Sequence, residues 1–593
     1  MTLLKTLMPV LALTSYVLAG TNGVPTAKIR NGLVKGLHLE TFDQDIFLGI
    51  PFAEAPRLDN PRPINMTWNE TFDATHFGPA CYGFGSNIDL NLTQSEDCLN
   101  LNIVRPSEYF ERALPVLVWV YGGGFTQGSN ADPMMNLSYI VQTSVENQQP
   151  SIAVSINYRL SFLGFPGGNV SLEAGISNLG LKDQQIALQW IQQNIRAFGG
   201  DPKRVTIWGE SAGGVSVGLH LISRGGKGSE GLFRGAIMSS GTVVGAGNPK
   251  SPYALNGDYD QIVDHAGCAN TTNTLQCLRA VPIEAIYPFE RIVSYSGPVI
   301  DGDFIQREPL LELNDGNVHR VPIVLGANSD EGLFVVNLLG SPNDEAALRK
   351  LCQTALPGLS NSTIGALLTA YPSDGPAPPY TLRSDFPWCT AVQAANISDC
   401  TPLYRRTAAI LGDFFADLGR RMVSQRWPEA VYSYRFVADS TSIPITYWKG
   451  LGPGFANHGT DIAYGFRLPG NFTTSIHYYP PVKPTPGHEG LSRVMASRYI
   501  SFVHGLDPNA VALPSVVSWP RYNDKQVNYV FNVSPEDHID IHLEPDTYRE
   551  RGIGIWMTHA FEAFYGDLSE GRVRGMRYKS STSAVEKNPK YML

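Results

Sequence analysis

The feature that most narrows what this chain can fold into is a short glycine-flanked serine and the sequence on either side of it. Val205-Thr-Ile-Trp208 is β-prone and apolar, Gly209-Glu210-Ser211-Ala212-Gly213-Gly214 follows at once, and Val215 to Leu221 reads as helix. Gly-x-Ser-x-Gly by itself is weak, because glycine and serine are common. Between a strand and a helix it describes a sharp, strained turn that thrusts the serine hydroxyl outward, and Gly209 and Gly213 let the helix pack close behind. Ser211 is therefore the candidate nucleophile.

Other apolar, β-rich runs occur at Leu114 to Tyr121, Ile152 to Ile156, Ala236 to Met238, Val321 to Leu325 and Val431 to Phe436. Stretches long enough for helices separate them. Continuous apolar strands alternating with helices predict a large, mainly parallel sheet covered on both faces. From Leu181 to Phe198, Ile186, Trp190, Ile191 and Ile195 recur near helical spacing, and Gly199-Gly200-Asp201-Pro202 ends the element. After the strand from Leu114 comes Tyr121-Gly122-Gly123-Gly124-Phe125. Read alone it is a tight turn. Upstream of the serine turn, three glycines suit a loop whose backbone N–H groups face a developing oxyanion.

Composition limits the partners. A formal net charge of -9 with 17% charged residues argues against nucleic acid and favours a neutral or apolar substrate. Lys5 followed by an apolar run from Leu7 to Leu18, closing on Val17-Leu18-Ala19, predicts a signal peptide over residues 1–19; the run is short for an anchor helix. Asn-x-Ser/Thr triplets at Asn65, Asn69, Asn91, Asn136, Asn169, Asn270, Asn361, Asn396, Asn471 and Asn532 fit export and N-glycosylation. We expect a secreted protein without a stable membrane anchor, with residues 20–570 as one catalytic domain and 571–593 as a basic, mobile tail. The Pro-rich stretch 478–486 is expected to be a surface loop. Seven cysteines in an oxidising compartment favour disulfides, with at least one unpaired. No Cys/His cluster has zinc spacing, so neither a metal nor another cofactor is expected.

Taken together, these blocks resemble the type B carboxylesterase family, which also holds cholinesterases, fungal lipases and the non-catalytic neuroligins. The resemblance runs through Glu96-Asp-Cys98-Leu-Asn100-Leu-Asn102, the glycine loop, Asn157-Tyr-Arg159, Asn178-Leu-Gly-Leu-Lys-Asp-Gln184, the serine turn, Asn328-Ser-Asp-Glu331-Gly332 and His458-Gly459. It implies an α/β-hydrolase fold and a serine ester hydrolase. By match to the family's motifs, Glu331 is the acid and His458 the base that complete a triad with Ser211, with Asp330 as the rival acid. The same match implies an oxyanion hole from the N–H groups of Gly123, Gly124 and Ala212, a supporting or purely structural Glu210, and disulfides Cys81–Cys98 and Cys268–Cys277. Two of Cys352, Cys389 and Cys400 are left to pair.

Two departures carry information. Arg57-Leu-Asp-Asn-Pro-Arg62 replaces the family's usual arginine motif, which leaves the partner of Glu96 open. No tryptophan lies between Tyr82 and Asp97, which argues against choline esters. The same stretch has Ile88, Leu90 and Leu92 at strand-like spacing and is too short and polar for an amphipathic lid helix. The leading expectation is a carboxylesterase acting on dissolved esters, with a triacylglycerol lipase as the variant and an adhesion protein as the reading from another class.

Overall fold

A computed structural model describes residues 23–109, 112–245, 247–287, 297–372, 402–438, 456–470 and 482–565. The expected signal peptide, the tail from residue 571, Cys389, Cys400, Asn396, Asn471 and residues 478–481 of the Pro-rich stretch lie outside them.

The centre of the molecule is an 11-stranded sheet. In chain order its strands are β1 (Leu37–Leu39), β2 (Gln44–Pro51), β3 (Asn100–Pro106), β4 (Leu114–Val120), β5 (Ile152–Ile156), β6 (Gly200–Glu210), β7 (Gly235–Ser239), β8 (Ile323–Asn328), β9 (Val431–Phe436), β10 (Val527–Val533) and β11 (Ile539–Pro545). Their spatial order is β11-β10-β9-β8-β7-β6-β4-β5-β3-β2-β1. The run from β5 through β4 and β6 to β10 is parallel. Antiparallel strands close both margins. The expected α/β-hydrolase architecture is thus present, and every residue of β4, β5, β7, β8 and β9 is buried, which is why they read as unbroken apolar runs rather than alternating ones.

This strand order positions the site. The chain leaves β4 for β5 on one side and returns to β6 on the other. The connections after β4 and β6 therefore diverge, and a crevice opens at the carboxyl ends of these two strands. The glycine loop follows β4, and Ser211 follows β6.

The motif blocks turn out to be the supports of that crevice. Asn100 and Asn157 both donate to the carbonyls of Pro79 and Cys98, tying the Cys81–Cys98 disulfide loop to β3 and β5. Arg159 donates to both carboxylate oxygens of Asp183, at 2.8 and 2.7 Å, with the arginine 4% and the aspartate 0% exposed. That pair fastens the segment after β5 to the Leu179–Asn194 helix. Arg57 supplies the missing partner of Glu96, with two hydrogen bonds of 2.6 Å, and also donates to the carbonyls of Leu278 and Val281. Leu278 belongs to a smaller satellite core with Leu58, Phe162, Tyr259 and Ile262, beside the Cys268–Cys277 disulfide. Cys352 is buried and carries a free thiol.

One local expectation needs correction. Within the stretch that carries Ile88, Leu90 and Leu92, Ser86–Asp89 forms a single helical turn that includes Ile88 and ends at Leu90, rather than extended chain. The reason is Asn87, which is fully buried and bonds to Cys81 O, Gly128 O and the Gly128 N–H. A polar side chain, invisible to hydrophobic spacing, sets the turn and pins it to the glycine loop.

Breaking a buried, hydrogen-bonded ion pair by removing one charge leaves the other uncompensated and typically costs about 3–5 kcal/mol. Asp183→Asn is accordingly expected to lower the urea or thermal unfolding midpoint sharply. A loss under about 1 kcal/mol, the range of an exposed pair, would show that Arg159 finds other partners.

Candidate active site

Ser211 sits at the tip of the turn between β6 and the Ala212–Ile222 helix, with φ 54° and ψ -124°. Such a backbone costs on the order of 1–3 kcal/mol for a side-chain-bearing residue and persists only where the surroundings enforce it. Three contacts enforce it. The Ser211 N–H donates to Ser239 O at 2.9 Å, the Val215 N–H donates to Ser211 O at 2.8 Å, and Gly213 lies so close to the Val120 and Tyr121 carbonyls that a Cβ there would overlap them. The helix therefore presses against the end of β4, as the glycines of the motif imply.

The same contact brings in the glycine loop. A Cβ on Gly122 would stand 2.6 Å from Glu210 O and 3.0 Å from Ser211 Cβ, so the loop runs directly over the serine turn. Gly123 and Gly124 have φ of 100° and 63°, a region glycine enters at little cost. Among the described residues neither of their N–H groups has an acceptor, and Ala212, first in its helix, has no intrahelical partner for its own. The loop and the helix start thus offer backbone donors beside the Ser211 hydroxyl.

Glu331 and His458 come from the ends of β8 and of the segment after β9. His458 Nδ1 lies 2.5 Å from Glu331 Oε2, and its Nε2 lies 3.3 Å from Glu210 Oε1. The other oxygen of Glu331 accepts from Ser240 Oγ at 2.5 Å, the Asn328 N–H at 2.8 Å and Asn328 Nδ2 at 3.2 Å. Phe334 stacks on the imidazole at 4.9 Å and Phe415 meets it edge-on at 5.0 Å. Phe415 sits on a π-helical turn, Asp413–Asp417. Burial disfavours the imidazolium, but Glu331, Glu210 and Asp461 outweigh it and hold the His458 pKa up at about 9. The ring therefore lies between two carboxylates that favour its charged form, and among the described residues the Ser211 hydroxyl has no hydrogen-bond partner.

Asp330 does not face the imidazole. Its carboxylate accepts from Ser329 Oγ and the Ala456 N–H, and burial pushes its pKa up to about 7. Of the two adjacent acids, the structure brings only Glu331 to His458.

Spacing gave no sign of the partners behind these groups. Asp461 is fully buried and bonds to Asn328 Nδ2 and Tyr434 OH; the tyrosine continues to Ser239 Oγ, which also accepts from Trp208 Nε1. Burial raises the Asp461 pKa to about 6. Asp461 stands at the acidic position of the family's His-Gly-x-Asp/Glu motif, whereas Ser240, which follows β7, has no pattern of its own.

The chain matches the Carboxylesterase family over residues 23–549. It is 31% identical over 597 residues to Lipase 4 of Diutina rugosa, covering 93% of this chain and 100% of the relative. It is 33% identical over 541 residues to Secreted lipase 1 of Botryotinia fuckeliana, covering 84% and 86%. The crystal structure of Aspergillus niger EstA superposes with a TM-score of 0.74 at 24% identity, over 91% of this chain and 99% of that one.

The placement of His458 between two carboxylates has a measurable signature. Histidine-selective NMR titration is expected to place the His458 pKa near 9, and Glu210→Gln to lower it by roughly one unit or more through loss of one neighbouring negative charge. An unchanged pKa in that variant would show that Glu331 alone sets it.

Proposed function

The chain belongs to the carboxylesterase family and is a carboxylic ester hydrolase, and we propose that it works through Ser211, His458 and Glu331 as a secreted enzyme on neutral or apolar esters. The observation that carries this reading is the Glu331–His458–Glu210 contact set directly behind a strained Ser211.

Catalysis requires the imidazole to be neutral at Nε2. Loss of that proton weakens its attraction to Glu210 and frees Nε2 to accept from the Ser211 hydroxyl. Oγ then attacks the ester carbonyl carbon as its proton passes to Nε2, and the carbonyl oxygen takes up negative charge facing the Gly123, Gly124 and Ala212 N–H groups. The imidazolium gives the proton to the leaving alcohol, and water, activated by the same nitrogen, releases the acid from the acyl-enzyme. Glu331 holds Nδ1–H throughout, so the ring keeps one orientation while its charge changes.

Export is supported by the expected signal peptide, the glycosylation triplets and the likeness to a secreted lipase. No helix among the described residues is long and apolar enough to cross a membrane. Two described disulfides fit an oxidising compartment. The turn at Ser86–Asp89 is pinned by Asn87, which favours an enzyme open to dissolved esters over one gated there by a lipid interface.

Two measurements test the proposal. Ser211→Ala and His458→Ala should each remove essentially all esterase activity and, for Ser211→Ala, fluorophosphonate labelling; Glu331→Gln should be severe and Asp330→Asn mild. Reversal of the last two would transfer the acid's role to Asp330. Hydrolysis of a short-chain triglyceride should rise smoothly with concentration across its solubility limit, and an abrupt jump when droplets form would instead establish an interface-activated lipase.

A further inference from the structure

A cavity of about 340 Å³ lies between the Leu179–Asn194 helix and the loop of residues 63–67. Its size is at the lower end of ligand pockets, about 300–1,000 Å³. The helix contributes Gln189, Trp190 and Gln193, and the turn after the short strand Thr26–Ile29 contributes Arg30. Trp190 is 6% exposed, and among the described residues its indole N–H has no acceptor. Gln193 Oε1 accepts from Arg30, which leaves the amide nitrogen of Gln193 and the whole amide of Gln189 without partners among the described residues. Unpartnered amide groups and an indole N–H beside an aromatic ring suit a hydroxylated, amide-bearing ligand better than a hydrocarbon one.

The rim of the cavity carries its own attachment point. Asn65 lines it, is exposed, and opens the triplet Asn65-Met66-Thr67. The loop does not wander: Asn31 Nδ2 donates to Met66 O at 2.8 Å and to Ile64 O, and the Trp68 N–H donates to Asn31 O. We propose that this cavity seats the innermost N-acetylglucosamine of a glycan carried on Asn65. Covalent attachment gives the sugar an effective concentration on the order of millimolar, so contacts too weak to hold a free sugar suffice. Attachment precedes folding, and the sugar docks as the helix and loop come together.

This inference rests on the reading that the chain is exported, and the test separates the two. Asn69, four positions on and also exposed, is the internal control. The full chain is secreted from a eukaryotic host, and native protein is treated with peptide N-glycosidase; release at each asparagine is followed by mass spectrometry. Release at Asn65 should be roughly tenfold or more slower than at Asn69, because cleavage there waits for local opening. In the Gln189→Ala/Trp190→Phe variant, which leaves the triplet intact, release at Asn65 should rise to the Asn69 rate. Thr67→Ala, which removes the glycan and one hydroxyl from the cavity wall, should lower the unfolding midpoint by about 2 °C, and enzymatic removal of the glycan from the unaltered chain should lower it equally, whereas Thr71→Ala should not. Equal release at both sites in the unaltered chain, or occupancy of Asn69 with none at Asn65, overturns the proposal and leaves export standing. No glycan at any triplet overturns both.

Discussion

The architecture of the site depends on one close approach of backbone to backbone, where Gly213 meets the Val120 and Tyr121 carbonyls. Without a side chain there, the helix after Ser211 can reach the end of β4, and the serine is driven into a conformation it would not adopt alone. The same approach lays Gly122 over Glu210 and so fixes the donor loop relative to the nucleophile. Neither geometry is set by a side-chain interaction that could slacken. Both follow from parallel strands β4 and β6 being neighbours with connections that leave in opposite directions.

What sequence revealed and what it did not divide along the range of the forces involved. The turn was legible because a strand, two glycines and a helix are consecutive, and the central strands because burial on both faces leaves long apolar runs. The marginal strands β1, β2, β3, β10 and β11 were not read from pattern; in β11 no residue is buried and exposure does not alternate, while β2 is buried on both faces over most of its length and so shows no alternation either. Arg57 and Ser240 act across the fold, over sequence separations of 39 and 91, and no local pattern announces such a partner; the family motif marks Asp461 but not its contact with Asn328, 133 residues away. Resemblance to a family supplied Glu331 and His458, which spacing alone had left among 12 histidines.

Three carboxylates, Glu210, Glu331 and Asp461, are buried around one imidazole, an arrangement whose desolvation cost is tolerable only if each charge is met. Glu331 is met by three donors besides the ring, Asp461 by Tyr434 and Asn328, and Glu210 by the ring itself. Of the three, Glu210 is the carboxylate that lies 3.3 Å from Nε2, the nitrogen given the proton transfer in the proposed mechanism. Glu331, Glu210 and Asp461 together favour the charged form of the ring. In the proposed mechanism Glu210 is placed to stabilise the imidazolium that forms when Ser211 gives up its proton, a gain realised in the transition state.

The adjacency of Asp330 and Glu331 follows from the same division of labour. A carboxylate that orients a histidine must commit one oxygen to the ring and have the other immobilised, and the longer glutamate arm allows this: Oε1 is held at the end of β8 by Asn328 and Ser240, and Oε2 reaches Nδ1. Asp330, one residue earlier, faces the chain that leads to His458, exchanging two hydrogen bonds with the backbone of Ala456. One acid therefore positions the ring and its neighbour positions the segment that carries the ring. Gly332 completes the arrangement, since a Cβ there would overlap the Ala408 carbonyl and push the start of the Gly332–Leu339 helix, and Glu331 with it, away from the imidazole. Substitution of that glycine would misplace the acid without touching any reacting atom, which is why the three consecutive residues behave as one unit of the site.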